Sequence, residues 1–292
     1  MTQVILSCDT TREYLYYMPI TTLFWHEIVG YRTVIVLVGA EEDWQSDKAA
    51  SLAVEFTKKL CPGTEFIYLE NKTRYPAYIL SQLIRPLTAL KYPNDFSITS
   101  DIDMLPLQKD YFKVTNVSKL HHFDPGVLGR PPYEIAMCYI GAIGSLWQKL
   151  LKAKNEDVAP EYIEKIVDKY KGFDRVRGYA GKKNKPFWGV DQMYLTEHIL
   201  YSDEYKMNLF KPADRDLDPK TNLLNDRVDK VKWEFNPRKK GYYVDAHLVL
   251  NEPWNRSTRN WKIFKKLLKT YVPSEVADIV RYTDDFSKSC IV

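Results

Sequence analysis

Apolar runs alternating with helical periodicity constrain the first third of this chain more than any other feature. Residues 4–7 (VILS) and 33–38 (TVIVLV) are short, nearly continuous apolar runs, and residues 64–68 and 96–99 read the same way. That is the pattern of strands covered on both faces. Helical stretches separate them at 13–29, broken at Pro19, at 47–60, which is amphipathic, and at 77–90, where Pro86 should bend the axis. Strand–helix alternation predicts an α/β fold with a mainly parallel sheet and helices on both faces. Ligands of such sheets bind at the carboxyl ends of the strands. Here the first strand ends in Cys8-Asp9-Thr10-Thr11 and the fourth in Ser100-Asp101-Ile102-Asp103, so the two segments can face one ligand.

The second half is less regular. Residues 134–140 (EIAMCYI) read as a strand, Gly141 as the turn into a helix over 142–153, and 160–170 as a helix. A Gly- and Lys-rich loop is expected over 172–186, a helix over 190–200, a strand over 241–249, and closing helices near 259–271 and 274–283. No repeat or Pro/Ser-rich linker divides the chain, so one domain spanning 1–292 is expected.

Hydrophobic content of 45% and charged content of 27% are those of a soluble globular protein. The net charge of +4, with basic runs only at Lys182-Lys183-Asn184-Lys185 and Arg238-Lys239-Lys240, is too small for a dedicated nucleic-acid binder and suits an anionic small molecule. The four cysteines are far apart with no CxxC pair, as for reduced thiols. Neither a signal-peptide pattern nor an apolar stretch long enough to span a membrane is present, so a cytoplasmic location is expected.

The stretch ITSDIDMLPL carries the chemistry. In an extended segment Asp101 and Asp103 share a face, and like charges that close repel unless a cation or proton lies between them. Apolar Ile102 anchors the pair inward. Hard carboxylate oxygens suit Mn²⁺ or Mg²⁺, ions that commonly bridge to substrate phosphates. The bland reading is an Asp pair capping the following turn.

With these features the chain resembles metal-dependent, GT-A-fold glycosyltransferases, most closely the group of glycogenin and the lipopolysaccharide galactosyltransferases. The resemblance implies that Asp101 and Asp103 form the D-x-D, with His247, in VDAHLVLNEPW, as third metal ligand. It makes Asp191 of WGVDQMYL the carboxylate nearest the reacting sugar, beside Gln192. It puts Arg85, Gly141, Ser100, Ile102 and Trp254 at the donor. Independently, free amides of Cys8-Asp9-Thr10-Thr11 at the end of the first strand can read a base edge, with Asp9 or Thr10 on base or ribose and Tyr14 stacking. Trp188 and Gly189 offer a platform and a close backbone approach for a sugar, and His121 and His122 sit at the acceptor rim. Where the group has Lys before Pro-Trp this chain has Glu252, so Arg256 or Arg259, or the basic loop 175–185 closing over the phosphates, is expected to supply that charge. The partners implied are a nucleotide-sugar, favouring a UDP-sugar, and a glycan acceptor. Residues 1–110 would form the nucleotide half and 111–292 the acceptor half. Retention of anomeric configuration is implied, with inversion as the alternative. A phosphotransferase of the haloacid dehalogenase type and a non-catalytic sugar-binding module are the competing classes. The first wants Thr or Val where Leu105 stands and its motif on the first strand.

Overall fold

The computed structural model describes residues 1–123, 135, 137–170, 189–200, 202–203, 209–210 and 224–290. Strands β1 (Thr2–Cys8), β2 (Arg32–Val38), β3 (Glu65–Leu69) and β4 (Phe96–Thr99) are parallel and lie in the order β3-β2-β1-β4. Beyond β4 the sheet continues through β7 (Ile140–Ile143), β6 (Leu120–His122) and β8 (Leu209–Phe210), with β4–β7 and β7–β6 antiparallel and β6–β8 parallel. A smaller sheet pairs β5 (Met104–Pro106) and β9 (Arg227–Asp229) with the central β10 (Asp245–His247).

Successive residues of the central strands face opposite layers, as the pleat requires. Val4, Leu6, Ile35 and Leu37 pack with helices α1 (Arg12–Phe24) and α3 (Lys48–Leu60) and the smaller sheet, whereas Ile5, Val34 and Val36 pack with α4 (Ala77–Ala89). The short α2 (Glu41–Ser46) precedes α3, whose N-cap Asp47 accepts bonds from the amides of Ala49 and Ala50 at 3.0 and 2.9 Å. Helices α5 (Gly144–Leu151), α6 (Pro160–Tyr170) and α7 (Val190–Leu195) join the α4 layer, and α8 (Arg259–Tyr271) and α9 (Val276–Ser289) the other.

Four expectations need correcting. Pro19 does not break its helix: α1 runs through it and closes with a π-turn over Trp25–Val29. A proline leaves the carbonyl four residues back without its helical donor, and the Tyr282 hydroxyl of α9 reaches that carbonyl, on Leu15, at 3.3 Å, shared with the Tyr16 carbonyl at 3.3 Å. Of the strand placed at 134–140, the described residues 135 and 137–139 are not in a strand and β7 starts at Ile140: residues 137–139 turn, with Tyr139 at φ 65° and its amide bonded to the Thr99 carbonyl at 2.7 Å. Gly141 therefore lies inside β7, where a Cβ would come 2.6 Å from the Phe96 ring; it is a packing glycine. The strand expected over 241–249 shrinks to β10, because Asn236 caps a 3₁₀ turn at Pro237–Tyr242.

Candidate active site

The sheet order reverses between β1 and β4, and a cavity of about 290 Å³ opens there at their carboxyl ends. Ser100 extends β4 by one bond, its amide reaching the Ile5 carbonyl at 3.1 Å; then the chain turns, with the Met104 amide on the Asp101 carbonyl at 3.2 Å. The D-x-D is thus a turn and not the extended segment expected. Its backbone is clamped on both sides, the Ile102 carbonyl by Thr21 Oγ1 at 2.6 Å and the Asp103 carbonyl by the Leu248 amide at 2.9 Å. Both carboxylates still line the cavity, but they face different partners.

Asp101 takes a short bond from Arg85 Nη1, and Arg85 Nη2 lies 3.8 Å from Asp191 Oδ2. Pro86 helps hold this arginine: it frees the Gln82 carbonyl, which accepts Arg85 Nε at 3.4 Å. Burial opposes the guanidinium charge, yet Asp101 and Asp191 more than offset it and its pKa is raised. For Asp191, 5% exposed, burial dominates and pushes the carboxyl up to about 6, against the opposing pull of Arg85. Its Oδ1 and the Gln82 Oε1 are buried and make no hydrogen bond among the described residues, although both side chains line the cavity.

Asp103 faces the smaller sheet. His247 Nε2 lies 3.4 Å and Lys230 Nζ 3.7 Å from its Oδ2. Burial works against the Asp103 charge, but His247 and then Lys230 outweigh it and hold the carboxyl below its usual range. The β9–β10 register, Asp229 opposite His247, brings the Asp229 carboxylate to 4.0 Å from His247 Nδ1. Among the described residues no three His, Cys, Asp or Glu groups already converge as a metal site. Asp103 and His247 fit two adjacent positions of one ion; Asp101, held by Arg85, would have to turn to become the third.

Of the other expected residues, Cys8, Asp9, Tyr14, Ile102 and Gln192 line the cavity with the acidic groups. Asp9 Oδ1 is engaged by the Thr11 amide at 2.9 Å. The rest lie away from it. Thr10 is exposed outside the cavity and Ser100 is fully buried beneath it. His121 is not at a rim: it is fully buried in β6, edge-on to the Phe96 ring at 5.1 Å, and His122 is buried beside it. Trp254 packs on Tyr16 and Phe286, at centroid distances of 6.2 and 5.4 Å, and Arg256 pairs with Asp284 at 2.5 Å on a separate open depression. Arg259 is exposed. Gly189, at φ 96°, precedes α7 with open space where a Cβ would sit; Trp188 and the 172–186 loop lie outside the described residues. Lys230, Tyr78, Ser81 and Gln82 line the cavity without having been singled out. The α4 residues were findable, since Tyr78, Ser81, Gln82 and Arg85 recur at helical spacing.

No protein-family model matches the sequence, and no curated protein matches it. Solved structures do. Similarity extends to the glycosyltransferase GlyE of Streptococcus pneumoniae TIGR4, with 13% identity over 99% of this chain and a TM-score of 0.50. The chain shares that glycosyltransferase's fold. It spans 64% of the GlyE chain's length. The galactosyltransferase LgtC, in complex with donor and acceptor sugar analogues, matches at 13% identity over 100% of this chain and 97% of its own, with a TM-score of 0.46. An active-site mutant of LgtC matches at 14% identity over 96% of this chain and 100% of its own, with a TM-score of 0.49.

Proposed function

We propose that the protein is a metal-dependent glycosyltransferase that moves a sugar from a nucleotide-sugar, a UDP-sugar first among them, to a hydroxyl of a glycan acceptor. One observation carries this reading: at the reversal point of the sheet, Arg85 joins Asp101 to the buried Asp191, while Asp103 meets His247 across the same cavity. The segment Cys8-Asp9 and Tyr14, which line the cavity, would hold the base and ribose. Asp191, Gln192 and Gln82, which line the same cavity, would hold the sugar. A divalent ion held by Asp103 and His247, with Asp101, would supply charge for the leaving diphosphate. Arg85 keeps Asp191 oriented and its charge partly balanced.

In the retaining form Asp191 positions donor hydroxyls and steadies the developing positive charge on the sugar. The inverting form is kept for a specific reason: a carboxyl raised to about 6 is poised to take the acceptor's proton near neutral pH.

The test is release of nucleoside diphosphate from a panel of UDP-, GDP- and dTDP-sugars with Mn²⁺, with and without excess chelator. Turnover of at least one donor is expected, abolished by chelator and by Asp103→Asn, with product anomer analysis deciding retention. Failure to bind or cleave any sugar nucleotide overturns the reading, and full activity in chelator removes the metal from it.

A further inference from the structure

The cavity is acidic for a site meant to receive a phosphate ester. Asp9, Asp101, Asp103 and Asp191 all line it, against Arg85 and Lys230 as the permanently cationic lining residues described. Arg85 is already committed: its side chain is 5% exposed and lies between Asp101 and Asp191. Lys230 is placed differently. Its side chain is 36% exposed, and the 3.7 Å to Asp103 Oδ2 is the one ion pair it makes among the described residues, too long for a hydrogen bond. We propose that Lys230 is the cation that receives the diphosphate of a nucleotide ligand, leaving Asp103 to do so. This rests on the nucleotide-sugar reading and adds to it a residue that the D-x-D and His set does not contain.

The backbone around Lys230 is built to hold such a group. Lys230 directly follows β9, whose register on β10 places its last residue, Asp229, opposite His247. Asp229 Oδ1 takes the Val231 amide at 2.8 Å and the Asp229 carbonyl takes the Trp233 amide at 2.6 Å, so the turn is closed twice. Trp233, at φ 42° and 5% exposed, pins its far end through an indole bond to the Asn260 carbonyl at 3.1 Å. The corner is fixed while the four-carbon stem is free to swing. A lysine in this position acts as a point charge with three rotatable donors, which suits a phosphate whose oxygens move as a bond to them breaks.

The experiment is calorimetric titration of the wild-type chain, Lys230→Met and Lys230→Arg with UDP, GDP and dTDP and with the matching nucleosides, at fixed Mn²⁺ and at two ionic strengths. The expected result is a loss of about tenfold in nucleoside diphosphate affinity for Lys230→Met. Nucleoside binding should be unchanged, the salt dependence shallower, and Lys230→Arg within about threefold of wild type in affinity and equal to it in thermal unfolding. Lys230→Met should unfold slightly lower, because Lys230 is the lesser of the two cations beside the buried Asp103 carboxylate. If the wild type binds a nucleoside diphosphate and Lys230→Met binds it equally, Lys230 is not its receiver, while the nucleotide-sugar reading stands. If both variants lose affinity and also unfold at lower temperature, the role is structural and the proposal fails. Should the wild type bind none of the three, both readings fall together.

Discussion

Asp191 sets two demands against each other. It is 5% exposed, 3.8 Å from Arg85, and its carboxyl is raised to about 6, chiefly by burial. A carboxyl whose folded pKa is raised contributes stability below its ordinary pKa and loses it as pH rises through the folded value. Between about pH 4 and 6, then, the native protein loses stability through this residue, and above that it carries an ionised group that the fold disfavours. Asp191→Asn keeps the shape and removes the charge. Its unfolding temperature should gain on the wild type as pH rises from 4 to 7, and a gap that stays constant across that range would show that burial does not govern this carboxyl. The same variant should lose at least about a hundredfold in sugar-transfer rate with nucleotide affinity little changed. Loss confined to affinity would make Asp191 a binding group only. At this scale the sequence was informative about chemistry and poor about direction. Asp101, Asp103, Asp191, Arg85 and His247 were all singled out and all line or border one cavity. His121, Trp254 and Arg256 were singled out too, and packing or pairing takes them elsewhere. Residue type shows what a side chain can do, whereas its neighbours across the sheet decide where it points.

At the scale of elements, the buried parallel strands and their helices were legible because each is a local pattern of one period. What followed Thr99 was less so, since its short strands contain Gly141, His121 and His122 and are fixed by cross-strand fit. Gly144 shows how strict that fit is: a Cβ there would lie 2.1 Å from the Tyr92 carbonyl oxygen, a backbone atom that cannot step aside. Gly144→Ala should cost about 1–3 kcal/mol or more, read as a lowered denaturant midpoint; a neutral result would mean that the α5 entry relaxes freely. Pro19 gives a sharper case. Tyr282→Phe removes the hydroxyl that serves the Leu15 carbonyl and should cost about 1–3 kcal/mol. In a Pro19→Ala background the restored amide at position 19 serves that carbonyl, so the same change should cost less. Equal costs in the two backgrounds would show that the tyrosine does not substitute for the missing helical donor.

For the whole molecule the question is whether the halves read as nucleotide-binding and acceptor-binding behave as one unit. Alternate residues of β1 and β2 serve opposite layers: Val4, Leu6, Ile35 and Leu37 one core, Ile5, Val34 and Val36 the other. Neither core can be lost without stripping one face of strands the other needs. The cavity repeats this arrangement, with Arg85 and Asp191 standing on the α4–α7 layer and His247 and Lys230 on the smaller sheet of the opposite layer. Denaturant unfolding should therefore be a single transition, with far-ultraviolet circular dichroism and tryptophan fluorescence coinciding; two separated transitions would divide the chain into independent domains. A ligand that touches both sides binds only the intact assembly and must stabilise it by mass action, about 2.7 kcal/mol at a hundred times its dissociation constant. Saturating UDP with Mn²⁺ should raise that one transition for both probes equally. In Lys230→Met and Asp103→Asn the ligand's increment should shrink, measured from each variant's own unliganded midpoint, which Asp103→Asn lowers because His247 and Lys230 lose the carboxylate they hold ionised. An increment that reached one probe and not the other would mean that the nucleotide engages a single layer, and the cavity would no longer be the place where the two meet around it.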